Sequence, residues 1–86
     1  MANSPQARKR ARQAEQHRTR NVAQRSYMRT TVKNVLKAVE AGDKAHAEKA
    51  FELAVPALDK ASRKGLIHAN KAARIKSRLV RQLKAL

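Results

Sequence analysis

The chain has no cysteine and no tryptophan, and only one tyrosine, one phenylalanine, two glycines and two prolines in 86 residues. Without cysteine there are no disulfide staples and no thiolate metal sites. Two aromatic rings are too few for single-strand recognition built on an aromatic platform. No apolar run approaches the ~18 residues of a transmembrane helix. The N-terminal stretch carries charge but no apolar segment, so no secretory signal is expected. Acids are scarce too: six Asp and Glu stand against 21 Lys and Arg, for a formal net charge of +15. The sequence pI is about 11.6. Large apolar side chains are also few. Hydrophobic residues make up 42% of the chain, but 17 of them are alanine, and Leu, Ile, Val and Phe total only 16. That share lies just under the roughly 20% at which highly charged chains come under suspicion of disorder. One small domain, 1–86, is the most such a chain can build. A large core is excluded, and with it a roomy apolar-lined active-site pocket. What is present is charge of one sign, which repels itself in the compact state and makes sense beside a polyanion.

The charge is unevenly placed. Residues 1–34 carry nine cations and one acid, Glu15; residues 35–60 carry four cations and five acids; residues 61–86 carry eight cations and no acid. A balanced middle with cationic ends is the pattern of a folded support that offers both ends to a partner.

The few breakers divide the chain into three helices, and no period-2 stretch is long enough for a sheet. Gly42 and Gly65 each follow a helix-period segment, as C-terminal caps do. Ser4-Pro5 reads as an N-cap followed by proline at the first helical position. The expected helices are 5–41, 43–64 and 68–85, an all-α three-helix bundle. At 1.5 Å per residue the first would reach roughly 55 Å, so its N-terminal part projects beyond the bundle. Met28, Val32, Val35, Leu36 and Val39 give its C-terminal half an apolar face. Upstream of Val22 nothing is larger than alanine, so the first twenty residues are expected to be frayed or disordered when alone. The second helix opens at Asp43 and turns Ala47, Ala50, Phe51, Ala54, Leu58 and Ala61 inward, with Pro56 expected to kink it. In the third, Ala72, Leu79, Leu83 and Leu86 form the core side, with Ile75 at its margin.

Nothing here suggests catalysis. His17, His46 and His68 fall in three separate segments, with no pair at metal-binding spacing, and read as surface or cap residues. Asp43, Glu48, Glu52 and Asp59 read as capping and helix-pairing acids. No catalytic residue, metal ligand or cofactor is expected. The basic residues carry the signal. Arg25, Arg29, Lys33 and Lys37 recur every four residues on the first helix, away from its apolar side. Lys71, Arg74, Arg78 and Arg81 make a second ridge on the third helix. Arg8, Lys9, Arg10, Arg12, Arg18 and Arg20 surround the projecting tip, five of the six being arginine. Guanidinium forks take phosphate oxygens bidentately, which favours a phosphate backbone over a diffuse anion. A solvated helix interleaves Glu with Lys, and these segments do not. A tip charged on all sides suits a partner that surrounds it, and folded RNA does that better than a DNA groove. Asn21, Ser26, Thr30 and Thr31 add neutral donors for phosphate and 2′-hydroxyl contacts. Tyr27 could stack on a base, but a lone tyrosine here is more often an interface residue.

Particular stretches also resemble a known family. Lys9-Arg10-Ala11-Arg12-Gln13, Arg18-Thr19-Arg20-Asn21, Ser26 and Arg29-Thr30 are similar to the N-terminal helix of the bacterial small-subunit ribosomal protein S-twenty family. Ala38-Val39-Glu40-Ala41-Gly42-Asp43 resembles its first turn. Lys64-Gly65-Leu66-Ile67-His68, Asn70-Lys71-Ala72-Ala73-Arg74 and Lys76-Ser77-Arg78-Leu79 are the closest match. The likeness runs the length of the chain, with departures at Ser4-Pro5-Gln6, Ala69 and Ile75. It implies a three-helix bundle whose long first helix penetrates ribosomal RNA, and a structural role in the small subunit from early in assembly. It also implies RNA contacts at Arg10, Arg12, Arg20, Asn21, Arg25, Arg29, Thr30 and Lys33, and again at Lys64, His68, Asn70, Lys71, Arg74, Lys76 and Arg78.

The expected function is direct binding of small-subunit ribosomal RNA through Arg and Lys contacts to phosphates, in the cytoplasmic ribosome. Few or no protein neighbours, no membrane and no small-molecule substrate are expected. The alternative is a histone-like DNA-compacting protein, which shares the charge and the alanine content. A membrane-surface helix needs a broad apolar face opposite its charge, and residues 5–21 lack one.

Overall fold

A computed structural model describes residues 4–86. Three helices follow one another: α1 (Pro5–Glu40), α2 (Lys44–Arg63) and α3 (Ala69–Lys84). Where a cap residue had been counted into a helix, the expected bound was one residue too long. Ala41, Lys64 and Ala85 are C-caps, and Asp43 and His68 are N-caps.

The ends follow from local chemistry. Ser4 Oγ accepts the Ala7 N–H at 3.1 Å, and Pro5 occupies the position whose missing N–H costs nothing. Asp43 Oδ1 accepts the His46 N–H at 3.1 Å and opens α2. Both glycine stops are Schellman turns. Asp43 N–H donates to Ala38 C=O and Gly42 N–H to Val39 C=O; Leu66 N–H donates to Ala61 C=O and Gly65 N–H to Ser62 C=O. Gly42 and Gly65 take φ of +71° and +74°, the left-handed region that side chains avoid. α2 runs unbroken through Pro56.

The core has two adjoining parts. Met28 packs with Ala57, Leu58 and Ala61, under Val32, Leu66, Ile67 and Ile75. Val35 packs with Ala50, Ala54 and Leu79, flanked by Val32, Val39, Phe51 and Ile75. Later residues of α1 therefore meet earlier residues of α2, so the two run antiparallel; α3 returns antiparallel along α2. α1 and α2 share the largest interface. Seven of the eleven buried apolar residues are alanine, so the helices approach closely with little bulk between them. Leu58 and Val35, the largest fully buried side chains, hold the centre. Each contributes about 1.5–3 kcal/mol by leaving water.

Some expectations give way here. Leu36 is 36% exposed because its position turns it toward the Arg29–Lys33 side of α1, beyond the reach of α2 and α3. Leu86 is exposed as well, lying past the end of α3. Ile75 proves a shared contact of both core parts. The tip of α1 is a continuous helix from Pro5, and its expected fraying concerns how long that helix lasts in the free chain. The packed half, residues 21–40, supplies the nucleus, and the tip extends it one hydrogen bond per residue. Most tip side chains are exposed, and the Cα trace extends 60 × 22 × 15 Å with α1 setting the long axis.

Candidate nucleic-acid interface

Two basic faces and one basic tip frame the candidate site. On α1, Arg25, Arg29, Lys33 and Lys37 are all exposed, on a ridge that starts beside Met28 and winds away from it. α1 bears no acid between Glu15 and Glu40, so no carboxylate falls between the first and last cations of this ridge. On α3, Lys71, Arg74, Arg78 and Arg81 are exposed on the side away from Ala72 and Leu79. Arg74, Arg78 and Arg81 line one open surface hollow with Ser77. Three guanidinium groups at helical spacing around a hydroxyl can cradle a phosphate from several sides.

The tip presents Arg8, Lys9, Arg10, Arg12, Arg18 and Arg20 to solvent. Arg18 is tied to Glu15 at 3.0 Å, but both side chains are well exposed (74% and 64%), so the pair is weak and separable. Asn21 is half-buried where the tip joins the bundle.

The hydroxyls and amides divide by their own bonds. Thr30 Oγ1 donates to Ser26 C=O at 2.9 Å, so toward a partner it can only accept. That fits a 2′-hydroxyl and not a phosphate oxygen. Ser26 is exposed beside it. Thr31, expected among the neutral donors, is buried and donates to Met28 C=O at 2.6 Å. It belongs to the core, its hydroxyl satisfied within its own helix. Tyr27 is not an interface residue of the bundle: it stands 57% exposed.

At the start of α3, His68 is the N-cap, and its Nδ1 accepts the Asn70 N–H at 3.1 Å. A neutral ring in this arrangement carries its proton on Nε2, which points the donor away from the cap. Lys64, Asn70 and Lys71 are exposed around it. Lys76 differs from its neighbours. It is half-buried and its Nζ lies 2.8 Å from Asp59 Oδ1 on α2. Seventeen residues separate the two in the chain, and no helical spacing relates them, so the pairing has no signal in periodicity. Among the described residues no group of His, Cys, Asp and Glu could hold a metal ion, and no helix is long and apolar enough to cross a membrane.

Comparison with known proteins matches residues 2–84 to the family described as Ribosomal protein S20. The chain is 62% identical over 86 residues to the small ribosomal subunit protein bS20 of Hydrogenovibrio crunogenus, covering all of this chain and 99% of the relative. It is 60% identical to the protein of the same name from Thioalkalivibrio sulfidiphilus, covering both chains completely. The protein of that name from Alkalilimnicola ehrlichii is 58% identical, with all of this chain and 98% of the relative covered.

Proposed function

Because the chain belongs to the ribosomal protein S20 family of the small ribosomal subunit, we propose that it binds small-subunit ribosomal RNA directly and stabilises the fold of that RNA during assembly. Its role is structural and its place is the cytoplasmic ribosome. The observation that carries this reading is the α1 ridge: Arg25, Arg29, Lys33 and Lys37, all exposed, one turn apart and without a carboxylate between them. A face built for solvent would interleave acids.

The mechanism is electrostatic. Each Arg or Lys that meets a phosphate releases condensed counterions, and the entropy of that release drives association. The ridge of α1 and the hollow of α3 take separate RNA segments, while the tip runs between crowded phosphates. On α1 the contacts are Arg8, Lys9, Arg10, Arg12, Arg18, Arg20, Asn21, Arg25, Ser26, Arg29, Thr30 and Lys33. On α3 and its approach they are Lys64, His68, Asn70, Lys71, Arg74 and Arg78. Lys76 joins them only by leaving Asp59. RNA is the principal partner, with few protein neighbours.

Replacing Arg25, Arg29, Lys33 and Lys37 together by glutamine tests this. Each lost phosphate contact should lower the slope of log affinity against log salt by about one. An unchanged slope, with the helical signal intact, would remove the ridge from the interface.

A further inference from the structure

Composition speaks against a roomy enclosed apolar pocket, but α1 and α2 leave an open apolar groove of about 510 Å³ between them. Tyr27 and Leu53 border it, 57% and 61% exposed, and Pro56 lies beside them. Arg20 and Lys60 also line it, and no carboxylate does so among the described residues. Gln24 lines it as well, and its Oε1 is buried with no hydrogen-bond partner.

We propose that this groove takes one unstacked nucleobase of the RNA partner, with Tyr27 stacked on the base, Gln24 at its edge and Arg20 and Lys60 on the neighbouring phosphates. The inference rests on the reading that the chain binds RNA, and it adds to phosphate contact a base-binding site.

The occupant is argued from what the groove offers. An apolar protein segment would cover Tyr27 and Leu53 but leave two cations without partners. A base supplies a flat face for the ring and a polar edge that the Gln24 amide meets by turning toward the groove. Its own backbone brings phosphates within reach of the two cations that line the groove, Arg20 from α1 and Lys60 from α2. A base inside a duplex cannot enter, so the ligand is an unpaired nucleotide of a loop or bulge. Tyr27 and Leu53 are large apolar groups left in water on a chain that has few of them, and the base covers both.

The test uses the full chain bound to folded small-subunit ribosomal RNA, with Tyr27→Ala, Tyr27→Phe and Leu53→Ser. Affinity is measured across a salt series, base reactivity is mapped by chemical probing, and folding is checked by circular dichroism. Tyr27→Ala should weaken binding about tenfold at every salt concentration without changing the salt slope, because stacking releases no counterions. Tyr27→Phe should stay within about twofold of the native chain. One unpaired base, protected by the native chain, should become reactive with Tyr27→Ala and with Leu53→Ser. Native affinity for both Tyr27→Ala and Leu53→Ser, or the absence of any such base, would overturn the site while leaving RNA binding in place. So would photocrosslinking from position 27 to a second copy or another protein in place of RNA. Failure of the native chain to bind the RNA would instead overturn the proposed function.

Discussion

The ammonium of Lys76 on α3 lies 2.8 Å from Oδ1 of Asp59 on α2, the one ion pair between helices among the described residues. It ties α3 to α2 across an interface smaller than the one α2 shares with α1. It also withholds one cation from a helix whose other cations face solvent. Both side chains are partly exposed (35% and 46%), so its net worth is at most about 1 kcal/mol.

Asp59→Asn should therefore lower the thermal stability of the free protein slightly, by up to about 1 kcal/mol, while binding RNA at least as tightly as the native chain. The substitution raises the net charge and releases Lys76. Lys76→Gln should cost the same stability and less affinity than Arg74→Gln or Arg78→Gln. Melting curves and filter binding measure both effects. An affinity loss with Lys76→Gln equal to that of Arg78→Gln would show that the pair opens on binding.

Gly65 holds the turn into α3 at φ +74°, and a Cβ there would meet nothing within 4 Å. Gly65→Ala should thus act through backbone strain alone, at about 1–2 kcal/mol. The loss should appear in a chemical denaturation curve with an unchanged slope. Gly42→Ala, in the same conformation, should behave alike. A loss well beyond this range would point to side-chain crowding.

The Ser4 cap, the Glu15–Arg18 pair and the Thr19 hydroxyl on Glu15 C=O are local bonds along the tip of α1, and no residue of α2 or α3 packs on its first two turns in the core. Amides of residues 8–18 should exchange rapidly in the free protein, while those around Val35 and Leu58 exchange slowly. On binding RNA the tip amides should slow markedly. Hydrogen exchange read by mass spectrometry measures this, and a tip already protected in the free chain would argue against ordering by the partner.

The architecture was legible because its punctuation is chemical. Ser4, Asp43, Gly42 and Gly65 each have one thing to do at a helix end, and each does it. Alanine at helical spacing marked the α2 face. Other features lay beyond a periodicity. The arc of α1 that the other helices cover depends on where they lie, so spacing placed Leu36 on the apolar side and packing left it exposed. Leu66 and Ile67 follow a glycine stop and have no period to reveal them, although a Schellman turn favours an apolar residue where Leu66 stands. Thr31 was legible as polar but not as self-satisfied, since its bond to Met28 is invisible in composition. For the candidate interface, charge and spacing identified the ridges, because a surface cation needs no partner to be recognised. What they missed was partnership across the chain: Lys76 with Asp59, and Gln24 and Tyr27 with Leu53.

The most direct measurement compares binding to folded small-subunit ribosomal RNA with binding to an equal mass of duplex DNA, at about 200 mM salt, where weak non-specific contacts are largely screened. Tight binding to the RNA with protection of a discrete site, and weak binding to the DNA, is the expected result. Equal affinity for both, with no discrete protected site, would contradict specific RNA recognition and leave a generic polyanion binder of the DNA-compacting kind.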